Sequence, residues 1–334
     1  MAGASHSHVV PRLSLRPFSE DNRIAMRLLP SDQKKIVGVA DAAVRSNIYG
    51  IRRSDGTYSY VIEDALCEIE SRTAPILREL LERWPLSNSD KARVAQFLGL
   101  QSVRGPHWRN FYQGHVDEWV ENVLIKDPGR IGVSEAEASD SDLKAKIKDR
   151  LSSDQQRLEQ MMSVINKAAS VIGSMHWTLL WLPRGGFITG DHPLVIWPLH
   201  RTSSIPRGNR EADGLLPTLE MRIPLRSDLC LLMTWMDAAD PKVALKASSH
   251  IVKNINAWTK ANAERQWFHH PRAQPRIGRG VQLPISPEII SGYSAALARS
   301  SPRRQKASEN VQPMLGKEID EVTIAVIADR AVAA

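Results

Sequence analysis

With 334 residues, 42% of them apolar, and a formal charge of +7, the chain is long enough for one large domain or two modest ones around a real core. Nine tryptophans spread from Trp84 to Trp267 argue against a disordered body, and Cys67 and Cys230 alone are too few for a disulfide framework or a thiolate zinc site. No run of about 18 apolar residues suits a membrane span, and Met1 to His8 lack the apolar stretch of a secretory leader, so a reducing, cytoplasmic setting is the expectation.

The first sixty residues read as short strands, with Arg23 to Leu29 and Lys35 to Val39 flanking the turn-like Pro30-Ser31-Asp32. Ahead of them stands His8-Val9-Val10-Pro11-Arg12. Pro11 fixes its own φ and biases Val10 toward extended geometry, so His8 is held by a stiff segment. A near-neutral imidazole placed in this way suits a general base or a metal ligand, and it equally suits a strand cap. His6 lies nearer the terminus, where fraying is common.

Helices are predicted next. Ile62, Leu66, Ile69, Ile76, Leu77, Leu80 and Trp84 recur at steps of three and four, giving one buried stripe that Pro75 should kink or divide. Glu63 and Glu70 fall on the border of that stripe, where a carboxylate can be partly desolvated for acid/base work, bind a metal, or pair with a base. A second helix begins at Ser87 and Asp90 in capping-box-like spacing, carries Val94, Phe97, Leu98 and Leu100, and ends at Gly105-Pro106. Gln101 and Arg104 lie one turn apart on its inward face. There Arg104 can anchor a phosphate or carboxylate, or form an internal ion pair with a residue such as Glu70. Further helices are predicted over Trp108 to Leu124, Ser153 to Gly173 and Ser249 to Trp267. Ser134 to Asp142, His200 to Pro217 and Ser300 to Gly316 read as insertions or linkers.

Between the last two predicted helices the pattern shifts to short apolar runs: Trp177 to Leu182, Gly186 to Thr189, Leu194 to Trp197, Glu220 to Leu225 and Leu229 to Trp235. The fold class is therefore α+β: a helical array packed on a mostly antiparallel sheet with strands from the N-terminal and C-terminal parts. Asp191, at a strand end before His192-Pro193, suits a metal ligand, a partner for a histidine, or an Asx turn. Asn256 and Arg265 are placed on the last helix, where an interior asparagine calls for a specific hydrogen bond, such as a bridge to the Asp191 turn. The chain contains none of the P-loop, dinucleotide-binding, serine-hydrolase or zincin motifs.

The ordered series His8-Val9-Val10-Pro11 with Leu15-Arg16 and Phe18, Asn47-Ile48-Tyr49, Glu63 with Glu68-Ile69-Glu70, Phe97 and Gln101 through Arg104-Gly105-Pro106 to Arg109, Trp177, Phe187 to Pro193, Ile223-Pro224-Leu225, and Asn256 with Ala263 and Arg265 resembles the mainly bacterial DUF4238 family, a domain of unknown function. The resemblance covers residues 8 to about 268. The chain departs from the family where Gly190-Asp191-His192-Pro193 replaces Ser-Asp-Asn-Pro and Leu13-Ser14 replaces an aromatic pair. It implies a single domain over residues 1–270 with a basic extension over residues 271–334. Some similar proteins are associated with anti-phage defence, which suggests a nuclease-like or toxin-like effector by association.

Two functions follow as expectations. The first is a hydrolase of a phosphodiester or related substrate, with His8, Glu70, Asp191 and Asn256 as catalytic residues, Arg104, Gln101 and Arg12 binding substrate, and a divalent metal as an open cofactor option. The second is a non-catalytic sensor in which those residues form a structural polar network. In either case Arg272, Arg276, Arg279, Arg299, Arg303, Arg304 and Lys306 make nucleic acid a candidate partner of the extension, with solubility as the plainer reading.

Overall fold

Alternation along three strands builds the centre of the molecule. In β7 (His176–Trp181), β10 (Thr218–Arg226) and β11 (Leu229–Thr234), residues Trp177, Leu179, Met221, Ile223, Leu225, Leu229, Leu231 and Met233 fall on one face and are buried. Register confirms the shared face, since Leu231 lies opposite both Leu179 and Ile223. Leu180 and Cys230 point to the opposite face and join a second core. The coordinates are a computed structural model, and they describe residues 6–8, 10–46, 51–52, 58–59, 61–103, 117, 120–198, 218–235 and 242–278. The side chains of His8 and Glu63 also lie outside the described part, as do the segments His200 to Pro217 and Ser300 to Gly316.

The strands β7, β10 and β11 belong to a five-stranded sheet, completed by β9 (Val195–Pro198) and β12 (Leu245–Lys246) in the order β12-β7-β11-β10-β9. Every pairing in it is antiparallel except β12 with β7. A four-stranded antiparallel sheet is built from both halves of the chain. It joins β2 (Arg23–Leu28) and β3 (Gln33–Gly38) to β8 (Thr189–Gly190) and β13 (Gln266–His269) in the order β3-β2-β13-β8. The expected α+β architecture, with N-terminal and C-terminal strands sharing a sheet, is the one observed.

Helices α2 (Val61–Arg78), α3 (Asn88–Val103) and α6 (Asp154–Ser174) cover the inner face of the five-stranded sheet. The predicted stripe Leu66, Ile69, Ile76, Leu77 and Leu80 is buried there. Pro75 is accommodated inside α2, which ends three residues later at Arg78. Ser87 starts α3 as foreseen: its hydroxyl accepts from Asp90 N at 3.1 Å. Of the helix predicted over Trp108 to Leu124, the structure describes a helical Asp117 and a wide turn at Val120–Ile125.

Four expectations need correction. The segment Ser134 to Asp142 is helical rather than a linker, because Ser134 and Glu137 form a reciprocal capping box for α4 (Glu135–Ser139). Asp140 then accepts from Asp142 N and Leu143 N to start α5 (Ser141–Ser152). Residues Arg12–Leu15 form a short α1 continued by a 3-10 turn at Arg16–Phe18, where strands were expected. Prolines at 11 and 17 supply helix-compatible φ at its start and middle. Gly186 to Ile188 join no strand ladder, their N–H groups going to Ser227 O and the Asn256 side chain, and the strand is confined to Thr189–Gly190. Finally, the last helix α7 (Ser249–Asn262) stops well short of Trp267, which lies in β13, so Arg265 is not helical.

The helices α3 and α6 touch at Gly99, where a Cβ would sit 2.5 Å from the Ile165 carbonyl oxygen and 3.1 Å from Ala169 N. Gly173, by contrast, faces only Ala95 Cβ at 3.6 Å. Gly99→Ala is therefore expected to destabilise the chain by about 1–3 kcal/mol as the two backbones are forced apart. Gly173→Ala should be neutral or stabilising by up to about 1 kcal/mol. Urea denaturation of both variants checks the contrast.

Candidate functional site

Asp191 occupies the turn after β8 and is 4% exposed. Its Oδ1 accepts from Glu264 N at 2.8 Å, and its Oδ2 accepts from Arg265 N at 2.8 Å and Gln266 N at 3.2 Å. In return, Asp191 N donates to Gln266 O at 3.1 Å. This one carboxylate thus gathers three consecutive backbone donors, which holds the chain out of helical geometry just after α7 and aims it into β13. Burial works against the charge, yet the nearby His192 ring and the backbone donors outweigh it, so the carboxyl is held below its ordinary 3.8.

Asn256 is fully buried and works in the same neighbourhood. Its amide nitrogen donates to Gly186 O at 2.8 Å and Arg276 O at 3.0 Å, while its oxygen accepts from Ile188 N at 3.2 Å. It therefore clamps both the strand entering the Asp191 turn and the segment after β13 onto α7. The bridge to the Asp191 turn itself comes from Asn262, whose amide nitrogen donates to His192 O at 2.9 Å and Leu194 O at 3.3 Å. Beyond His270 the chain doubles back along α7, with Gly278 N donating to Lys253 O at 3.1 Å.

A second polar cluster ties β13 to the turn between β2 and β3. Asp32 accepts from Trp267 Nε1 at 3.0 Å and from Lys260 Nζ at 2.9 Å. Arg27 and Lys260 approach the Trp267 ring at 5.7 Å and 5.5 Å from its centroid. Two residues on, His269 is buried and its Nδ1 donates to the His270 carbonyl at 2.8 Å, leaving Nε2 without a partner among the described residues. Burial pushes its pKa down to about 4.

Among the described residues a concave feature lies elsewhere, between the N-terminal helical turn, α2 and β10. This cavity of about 500 Å³ is bounded by Leu13, Ser14, Arg16 and Pro17, by Cys67, Glu70, Ser71, Ala74, Leu77 and Arg78, by Pro193, and by Ile223 to Arg226. The α2 contribution is one helical stripe beside the buried one. On β10 a register shift between Pro224 and Arg226 interrupts the regular ladder at this wall. Arg226 grips Asp228 through two bonds of 2.9 Å and 2.8 Å. The guanidinium groups of Arg16 and Arg78 have no such carboxylate among the described residues. The Ser14 hydroxyl is likewise without a partner there.

Of the residues singled out from sequence, Glu70 lies on this wall. Asp191 and Asn256 are brought together around the 186–192 segment, and Pro193 carries that segment to the cavity's edge. Gln101 is 6% exposed on α3, with neither amide atom hydrogen-bonded among the described residues. Arg12 is exposed on α1. His8 pairs with Val44 through β1 (His6–His8) and β4 (Val44–Ser46), and Arg104 lies outside the described residues. Among the described residues no three His, Cys, Asp or Glu side chains are grouped as a metal site would need, and no helix is long and apolar enough to cross a membrane. Sequence reasoning missed Arg78, although its spacing of eight from Glu70 sets both on one side of α2, and it noted Arg16 only within a motif.

The two titrating groups act in different pH windows. Between 6.5 and about 4 the unfolded chain protonates His269 while the folded chain does not, so stability falls as pH drops through that range and levels off below it. Asp191 contributes stability above 3.8, lost as pH falls through its depressed folded value. His269→Leu should flatten the upper window of the melting-temperature profile and leave the lower one. Asp191→Asn should cost about 2–3 kcal/mol at neutral pH, because an amide cannot accept from all three donors.

Neither curated proteins nor solved structures yielded a match to this chain. A family model described as protein of unknown function (DUF4238) matches residues 6–273, a span that takes in the Asp191 pin, Asn256 and the described lining residues of the cavity. The chain accordingly belongs to the DUF4238 family.

Proposed function

We propose that the chain is a hydrolase acting on a small phosphate ester or related anion held in the cavity between α1, α2 and β10. The observation that carries this reading is the pair of guanidinium groups, Arg16 and Arg78, left without a carboxylate among the described residues on a wall that also presents Glu70. Arginine forks match the oxygens of a phosphate group, and they stabilise charge that develops on it during reaction. Glu70 is the acid or base that moves the proton. His8 as a second base and Arg104 as a further anion anchor belong to the same proposal, while Asp191 and Asn256 act as positioning residues through the backbone. Anti-phage defence is the biological setting in which such an effector is proposed to act.

A second reading is favoured by one observation: Asp191 and Asn256 commit their polar atoms to backbone partners. Here the polar network is structural and the cavity senses an anion without turning it over. The basic segment after residue 270 is proposed to contact nucleic acid in that case.

Cys67 provides the reporter. It is exposed on the cavity wall, whereas Cys230 is fully buried with its thiol pushed up to about 12 by burial, so alkylation of the native chain reads Cys67 alone. Simple phosphate mono- and diesters should slow that alkylation in the wild type and not in an Arg16→Ala, Arg78→Ala variant. Glu70→Gln should keep the protection while turnover of a chromogenic phosphodiester drops by roughly 100-fold or more. Unchanged alkylation with every anion would sink the site; protection without wild-type turnover would leave the sensor.

A further inference from the structure

The composition of the cavity wall narrows the ligand beyond its charge. Arg16 and Arg78 supply the cationic part, but much of the remaining lining is aliphatic, from Leu13, Leu77, Pro193, Ile223, Pro224 and Leu225. An aliphatic surface of this kind rewards the removal of methylenes from water. The volume of about 500 Å³ falls within the range of pockets that enclose a small molecule rather than a polymer segment.

We infer that the ligand is a small amphiphile with an anionic head, phosphate or carboxylate, and an aliphatic body. This inference rests on the reading that the cavity holds an anion. The head sits between Arg16 and Arg78, and the body lies along Leu13 and Ala74.

The experiment measures protection of Cys67 in the full chain by a homologous series of alkyl phosphates from ethyl to hexyl, and by butanoate to octanoate. Inorganic phosphate and adenosine monophosphate are run beside them. Half-protecting concentrations should fall by about fourfold for each added methylene, in both series. The two series together separate a phosphate head from a carboxylate head. Ala74→Leu, at a partly exposed wall position, should flatten the dependence on chain length while leaving ethyl phosphate almost unchanged. Protection by inorganic phosphate or adenosine monophosphate equal to that of hexyl phosphate, or independent of chain length, would overturn the inference and leave the anion site standing. If no anion in the set protected Cys67, both would fall together.

Discussion

The fold turns on a buried carboxylate and the three peptide donors it collects. Without Asp191, the N–H groups of Glu264, Arg265 and Gln266 would lie near the end of α7 with no acceptor in place, and a continued helix would be their cheapest alternative. With it, the chain leaves the helix, and Gln266–His269 can pair with Arg23–Leu28 on one side and Thr189–Gly190 on the other. One side chain therefore decides that strands from opposite ends of the sequence share a sheet. Close packing supports the arrangement, since a Cβ on Gly190 would lie 3.2 Å from Ala263 Cβ. A side chain larger than hydrogen at this point would crowd the helix end that Asp191 terminates.

The same joint sets the cavity. The N-terminal helical turn is packed through Leu15 and Phe18 into the core beneath the four-stranded sheet, and Ser227 N donates to Pro17 O at 3.4 Å. Ser227 in turn receives Gly186 N and Phe187 N at 2.7 Å and 2.9 Å, which fastens the start of the 186–192 segment to the β10–β11 turn. The two family motifs around Arg16 and Asp191 thus converge, though their roles differ: the first lines the cavity directly, and the second holds its neighbours in register. Polar residues in such a series need not all touch a ligand. Some instead satisfy a buried backbone group that would otherwise go unpaired.

Much of this was legible in the chain itself. Strand alternation at Trp177 to Leu182 and Leu229 to Trp235 and the helical stripe from Leu66 to Leu80 are local signals, and they identified the layers and the covered face. The bounds of α7 were not legible, because the periodicity of Ile255, Trp258 and Trp267 runs on past the point where a side chain 73 residues earlier in the chain, Asp191, intervenes. The helices at Glu135–Ser139 and Ser141–Ser152 were hidden by composition: serine and aspartate signal linkers until their spacing is read as caps. For the site, the border position of Glu70 was visible from period alone, whereas Arg78 became meaningful only once it was seen to line the same cavity as Arg16. The asparagine that bridges to the Asp191 turn proved to be Asn262, one turn and a half beyond the residue that the interior-asparagine argument selected.

A crystal structure of the full chain grown with hexyl phosphate tests the central claim, an anion held between Arg16 and Arg78, most directly. The phosphate is expected within hydrogen-bonding distance of both guanidinium groups, with the alkyl chain running along Leu13 and Ala74. A structure in which both arginines pair with carboxylates of the chain itself while the cavity holds no ligand would contradict it.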